Sequence, residues 1–179
     1  SRAPVLTLWT TAGLDNPAIT SEAVRQLAAL PGVSAVAVAI RAPLSLSGGG
    51  MATPVSVPGT TRDPGGGVPA VKFNAVSANY FDTLGTRLLR GRSFTETEER
   101  GGEATVVVSA AFVRRYLSDR DPLDTLIDVS GTPHRVIGVA QDGVVNEIGE
   151  PPQPYVYLPF WRGHYGETTF LLATAGEPG

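Results

Sequence analysis

The chain contains no cysteine. Disulfide frameworks, thiolate metal sites and cysteine nucleophiles are therefore all excluded together. It also lacks a long apolar run: the longest, Ala35 to Ile40, falls far short of the roughly 20 residues that a membrane-crossing helix needs. Excess positive charge is missing too. Lys and Arg number 14 against 17 Asp and Glu, for a net charge of -3 and a pI near 5.3, so the electrostatic footprint of non-specific nucleic-acid binding is not there and no nucleic-acid partner is expected. A nucleotide-binding P-loop would need Gly-x4-Gly-Lys followed by Ser or Thr, and that spacing does not occur.

Residues able to do chemistry are few and scattered. The only histidines, His134 and His164, have no second ligand at the three- or four-residue spacing that puts two ligands on one helix face, and no Gly-x-Ser-x-Gly elbow accompanies them. Both read as surface or turn residues, and a hydrolase built on either is the weakest of the functional readings. Glu96, Glu98, Glu99 and Glu103 lack the Asp-x-Asp-x-Asp-Gly pattern of a calcium loop and, beside Arg100, read as the solvated face of a helix. Asp119, Asp121, Asp124 and Asp128 read as turn and cap residues. The triplets Gly48-Gly49-Gly50 and Gly65-Gly66-Gly67 do not stand between a buried strand and a helix start, so they read as flexible loop rather than anion-binding nests. No catalytic group, cofactor or metal is expected.

What is present is a folding chain. Its 179 residues, 42% hydrophobic and 17% charged, can bury a core as one domain or as two packed subdomains. Val5 to Trp9 is a short strand. A helix follows, with Thr20 or Ser21 as its N-cap and Val24, Leu27, Ala28 and Leu30 at helical spacing, and Pro31-Gly32 stops it. Val33 to Arg41 is a strand with Val36, Val38 and Ile40 on one face and alanines on the other, which predicts cover on both sides and completes a β-α-β unit. Residues 45 to 67 are rich in Gly, Ser, Thr and Pro, the least ordered stretch expected, with an edge strand around Ala52 to Val57. Pro69 to Val76 and Ala104 to Val108 are strands. The second leads into a helix capped by Ser109, with Phe112, Val113, Tyr116 and Leu117 as its apolar stripe, ending at Asp121-Pro122. Leu126 to Val129 and His134 to Val139 form a hairpin across Ser130 to Pro133. Tyr155 to Leu158 and Thr168 to Ala173 are the last strands. Tyr155 and Tyr157 share one side, and core packing is favoured there over a partner surface. The fold class is α+β.

One segment is more telling than the rest. Val76-Ser77-Ala78-Asn79-Tyr80-Phe81-Asp82-Thr83-Leu84-Gly85 reads as a short helix capped by Ser77, anchored in the core by Tyr80, Phe81 and Leu84 and released by Gly85. Leu89-Arg90-Gly91-Arg92-Ser93-Phe94 follows as a tight basic turn. Together with Val106-Val107-Val108-Ser109, Asp121-Pro122-Leu123, Val136-Ile137-Gly138-Val139 and the ending around Tyr155 to Pro159, it resembles the extracytoplasmic core domain of MacB-like, FtsX-like ABC transporter permeases. The resemblance covers residues 69 to 179 well and extends upstream to Leu30-Pro31-Gly32-Val33 and Pro43-Leu44, whereas residues 1 to 19 and 45 to 67 match weakly. Asp124 stands where the family usually carries glycine.

The resemblance implies a domain at the periplasmic face of the bacterial inner membrane, held between the first and second helices of a transmembrane set. It implies a porter-like β-α-β subdomain, here residues 1–68 and 158–179, with a second mixed α/β subdomain inserted, residues 69–157. The implied structural signature is Ser77, Tyr80, Phe81, Leu84, Gly85, Gly91, Arg92 and Gly138. The implied partners are the protein's own transmembrane helices, a cytoplasmic ATPase domain or subunit, and a periplasmic partner. The work implied is mechanical coupling of ATP-driven motion rather than bond making. The start at Ser1-Arg2-Ala3 and the end at Gly176-Glu177-Pro178-Gly179 suggest a segment excised from a longer protein, monomeric by itself. A soluble small-molecule-binding domain with a pocket near Tyr155 to Trp161 is the alternative.

Overall fold

A computed structural model describes residues 5–10, 16–42, 51–59, 67–143, 151–163 and 165–175. Most of the Gly- and Ser-rich stretch from 45 to 67, Pro43-Leu44, and His164 lie outside the described residues.

Strand β1 (Val5–Thr10), helix α1 (Pro17–Ala28), strand β2 (Val33–Ala39) and strand β10 (Thr168–Thr174) make one lobe. Both β1 and β2 pair antiparallel with β10, so they run parallel to one another with the last strand between them. The expected β-α-β unit is thus a split one. α1 lays Ala23, Val24 and Leu27 on Val36, Val38, Phe170 and Leu172, while Ala37 and Ala39 face the opposite way into a second cluster. Cover on both faces of β2 follows as expected from its unbroken apolar run.

α1 starts earlier than expected, and neither Thr20 nor Ser21 caps it. The Asn16 side chain accepts a hydrogen bond from the Ala18 amide, and Pro17 occupies the first turn, where its missing N–H costs nothing. Thr20 is instead buried inside the helix.

The second lobe contains β3 (Ala52–Ser56), β4 (Ala70–Val76), β6 (Thr105–Ser109), β7 (Leu126–Val129), β8 (Thr132–Ala140) and β9 (Tyr155–Pro159). β4 pairs with β3, β3 with β7, β7 with β8, β8 with β6, β6 with β9, and β9 with β4, which closes a ring of six strands. All six contribute to one cluster that includes Val55, Val71, Val106, Ile127, Val136 and Val156. Helix α4 (Ala110–Tyr116) adds Phe112 and Leu117 to it, and its cap is Ser109, whose Oγ accepts from the Phe112 amide. The helix stops at Tyr116, short of Asp121-Pro122.

Two expectations are corrected here. β3 is not an edge strand, because β4 holds one side of it and β7 the other. The segment after Leu84 is not a basic turn but strand β5 (Leu88–Gly91), antiparallel to β8 with a bulge between Leu88 and Arg90. The β7–β8 hairpin forms as expected, through a two-residue Ser130-Gly131 turn with both φ angles positive, 53° and 83°.

Candidate functional site

The two lobes meet along one short seam. In sheet register, β2 and β4 share a single residue pair, Ala39 with Val76. Around it the Ile40 amide donates to the Ala75 carbonyl (3.0 Å) and the Ser77 amide to the Val38 carbonyl (2.8 Å). Beyond that point side chains replace the ladder. Ser77 Oγ accepts from the Val38 amide (2.9 Å) and donates to Asn79 Oδ1 (2.7 Å), and Asn79 Nδ2 donates to the Val36 carbonyl (2.8 Å). At the other end Asn74 holds both the amide and the carbonyl of Arg41. Buried main-chain groups of β2 that no strand reaches are satisfied in this way.

Ser77 is therefore not the side-chain cap of helix α2 (Tyr80–Thr83). The cap position is Asn79, no side-chain cap hydrogen bond forms, and the Ser77 hydroxyl is committed to β2. The helix ends in a Schellman motif: the Thr86 amide donates to the Phe81 carbonyl and the Gly85 amide to the Asp82 carbonyl, with Gly85 at φ 62°.

α2 is a wedge between the lobes. Phe81 is 1% exposed and Tyr80 4% exposed, in a cluster that joins Ala37, Ala39 and Leu171 of one lobe to Val107, Ile137 and Tyr157 of the other. Phe81 meets Tyr157 edge-on at 5.1 Å and Tyr80 at 5.4 Å, and Tyr157 continues to Tyr155 at 5.0 Å. Leu84 is half-buried against the same cluster. Burial raises the pKa of all three phenols, pushing Tyr155 up to about 12, so they stay neutral.

A clamp stands on the far side of the seam. Gly91 faces Gly138 across the β5–β8 pairing, and the Arg92 amide donates to the Ile137 carbonyl. Helix α3 (Glu96–Glu99) opens on a capping box in which Thr95 Oγ1 accepts from the Glu98 amide while Glu98 accepts from the Thr95 amide. Glu98 also takes both Arg92 guanidinium nitrogens at 2.8 Å, and the Arg92 hydrogen bonds hold its carboxyl at about 2. Glu99 reaches across to accept the Ala78 amide proton at 2.6 Å, and Ser93 Oγ donates to the Ala78 carbonyl at 2.6 Å. The Ala78 residue is thus gripped from both its polar groups, between Ser77 and Asn79, which grip β2.

The acidic run is accordingly a solvated face only in part: Glu96 and Glu103 are exposed as expected, but the two glutamates between them are not. Glu98 and Glu99 are 7% and 6% exposed, because the capping box and the Ala78 amide draw them inward. Thr95-x-x-Glu98 was a visible cue for the first. Nothing local in the sequence marks Glu99, whose partner lies 21 residues away. The segment that follows α3 is held by Arg162 of the single-turn 3-10 helix (Phe160–Arg162), which donates to the Gly102 and Glu103 carbonyls at 2.7 and 2.8 Å.

Elsewhere the polar groups do structural work. Asp121 accepts from the Leu123 amide and Asp128 from the Gly131 amide, as expected of turn residues, and Asp119 pairs with Arg120. His134 is half-buried, with Nδ1 2.8 Å from the Thr132 carbonyl and its pKa lowered by burial. Among the described residues no group of three or more His, Asp or Glu side chains is placed to hold a metal ion. Tyr155, Tyr157 and Phe160 are core residues, and Trp161 packs edge-on against Phe160. No helix among the described residues is long and apolar enough to cross a membrane.

Comparison with known proteins places this architecture. The family model described as the MacB-like periplasmic core domain matches residues 2–177. An uncharacterized ABC transporter permease of Bacillus subtilis (strain 168), YvrN, is 28% identical over 87 residues, 47% of this chain and 21% of that protein. The chain thus spans about a fifth of the length of that relative. Among solved structures, the periplasmic region of MacB from Actinobacillus actinomycetemcomitans superposes with a TM-score of 0.62 at 17% identity, covering 89% of this chain and 66% of that one. The extracellular domain of YknZ, a noncanonic ABC-type transporter from Gram-positive bacteria, gives 0.61 at 17% identity, covering 97% and 85%. With nearly the whole length matched and the fold shared, the chain belongs to the MacB-like periplasmic core domain family, the extracytoplasmic part of ABC-type permeases.

Proposed function

We propose that this domain is a non-catalytic transmission module, which carries motion driven by a cytoplasmic ATPase through the permease's own membrane helices to the extracytoplasmic side, for export or for action on a periplasmic partner. The observation that carries this reading is the seam. The two lobes are joined by one register pair, by the hydrogen bonds of Ser77 and Asn79, and by two apolar clusters that span both, one holding the wedge Tyr80-Phe81 and the other packing Val36, Val38 and Phe170 with Ala75 and Phe73, so displacement of one lobe is delivered to the other. Support comes also from the ends of the sheet: Val5 lies opposite Ala173, so a chain continuing beyond both strands leaves from one side.

The lobes are divided accordingly. We place the described residues of 5–42 and 160–175 in the split β-α-β lobe and those of 51–159 in the ring lobe, which moves β3 out of the 1–68 part into the inserted subdomain. Ser77, Tyr80, Phe81, Leu84 and Gly85 then form the inter-lobe connection, and Gly91, Arg92 and Gly138 its support.

Two measurements test this. The full-length gene is expected to encode apolar spans of about 20 residues on both sides of the domain, and their absence would sink the reading. In the full-length permease, N79A is expected to retain ATP hydrolysis and lose most transport, because the Val36 carbonyl loses its donor. A folded N79A permease that transports at the unaltered rate would contradict transmission through the seam.

A further inference from the structure

Glu99 is a carboxylate in an uneconomical place. Its side chain is buried, its one hydrogen bond comes from the neutral Ala78 amide, and among the described residues no cation stands within ion-pair distance of it. The neighbouring Glu98 is equally buried but has the Arg92 guanidinium. The charged groups around Glu99 are Arg100 and Glu96 on α3 itself. Arg162, from the 3-10 helix, spends its donors on α3 and following carbonyls, and Arg92, beside β5, on Glu98. A buried charge with a single neutral donor is costly, and the cost disappears when the group takes up a proton or when it reaches water.

From this geometry we infer that Glu99 makes the contact between α3 and the 77–79 loop a pH-dependent latch, closed in acid and loosened as the pH rises. Protonated Glu99 is tolerated in the closed position. Ionised Glu99 gains more from solvation in an open position, in which Ala78 is released and the grip on the lobe seam is halved. Burial raises the Glu99 pKa above its ordinary value of 4.5, which agrees with this direction. The sign follows from linkage: below 4.5 both positions are protonated, and above the closed-state pKa both are ionised. Between these limits only the open form gives up its proton, so opening rises with pH by up to about tenfold per unit and then levels off. A domain on the extracytoplasmic side meets the pH of its surroundings directly, so the latch would adjust the seam to them.

The test uses the domain itself and leaves the permease reading untouched. Hydrogen exchange of the Ala78 amide, corrected for its intrinsic pH dependence, is followed by NMR from about pH 4 to about pH 8, alongside the carboxyl carbon shift of Glu99. Ala78 protection is expected to fall across the titration of Glu99, which should lie above the ordinary 4.5. E99Q keeps an oxygen for the Ala78 amide and should make protection independent of pH. Constant Ala78 protection in the unaltered protein, a Glu99 titration at or below 4.5, or a pH dependence that survives in E99Q would each overturn the latch. The first two observations need no variant, so a misfolded E99Q would not shelter it.

Discussion

Gly91 and Gly138 stand opposite each other where β5 meets β8, and each position has room only for hydrogen. A Cβ on Gly91 would lie 2.1 Å from the Ile137 carbonyl oxygen, and one on Gly138 would lie 2.4 Å from the Arg92 carbonyl oxygen. Backbone, not a flexible side chain, is what they would strike. This close approach lets β5 hand the chain directly to Arg92, Ser93 and the α3 clamp.

Alanine at either glycine should therefore destabilise the domain. Overpacking against backbone costs about 1–3 kcal/mol, and Gly91, at φ 68°, adds about 1 kcal/mol of backbone strain. G91A is expected to lower the urea midpoint more than G138A. Equal midpoints for the unaltered protein and both variants would show that the strand pair yields.

At the wedge, F81A should cost about 3–5 kcal/mol, because the ring is fully buried between lobes and its neighbours cannot all move into the space. F81L should cost clearly less, since most of the volume remains. Denaturant unfolding with an unchanged slope would report this as lost stability rather than a changed end state. If F81A unfolds at the same midpoint as the unaltered protein, α2 is not the keystone that its packing implies.

How much of this was legible depended on whether the cause was local. The two-faced burial of β2, the Ser109 cap, the stripe Phe112 to Leu117 and the Ser130-Gly131 hairpin each follow from patterns within about ten residues, and the sequence marks them openly. The α1 start is ambiguous in the sequence: Asn16-Pro17 is a cap signal, and Thr20-Ser21-Glu22 presents a similar one a turn later. Ser77 reads as a cap because the partner that claims its hydroxyl, Val38, lies 39 residues upstream. β5 reads as a turn because its partners on β8 lie still further away in the chain. Glu99 was invisible as a contact for the same reason. The fold was thus readable from periodicity and resemblance, while the seam depends on long-range hydrogen bonds that no window of sequence contains.

Asp124 is a case where a departure from family pattern has a geometric meaning. It sits at φ 62°, a left-handed conformation that glycine adopts without strain and that aspartate tolerates better than most residues. Its amide donates to the Val136 carbonyl, so the conformation is fixed by the strand beyond it. D124G should raise stability by about 0.5 kcal/mol, the relief of strain being partly offset by the freer unfolded chain. A thermal midpoint lower than that of the unaltered protein would indicate that the Asp124 side chain matters more than its backbone.

The adjacent glutamates of α3 should leave opposite marks on the pH dependence of stability. Glu98 is held at about 2 by Arg92, below its ordinary 4.5, so its contribution is complete above about 4.5 and is lost as the pH falls toward 2. Arg92 is half exposed, which screens the pair, so this contribution is about 1–2 kcal/mol rather than the full value of the shift. Glu99 is raised, so it works the other way: stability is greatest while it is protonated and declines as the pH rises from 4.5 through its folded pKa. The stability of the unaltered domain, measured by unfolding from about pH 2 to about pH 8, should accordingly rise on the acid side and then yield part of that gain. E98Q should flatten the acid limb and leave the decline in place. An acid limb as steep in E98Q as in the unaltered protein would mean that the Arg92 pair contributes nothing to holding α3 against the seam.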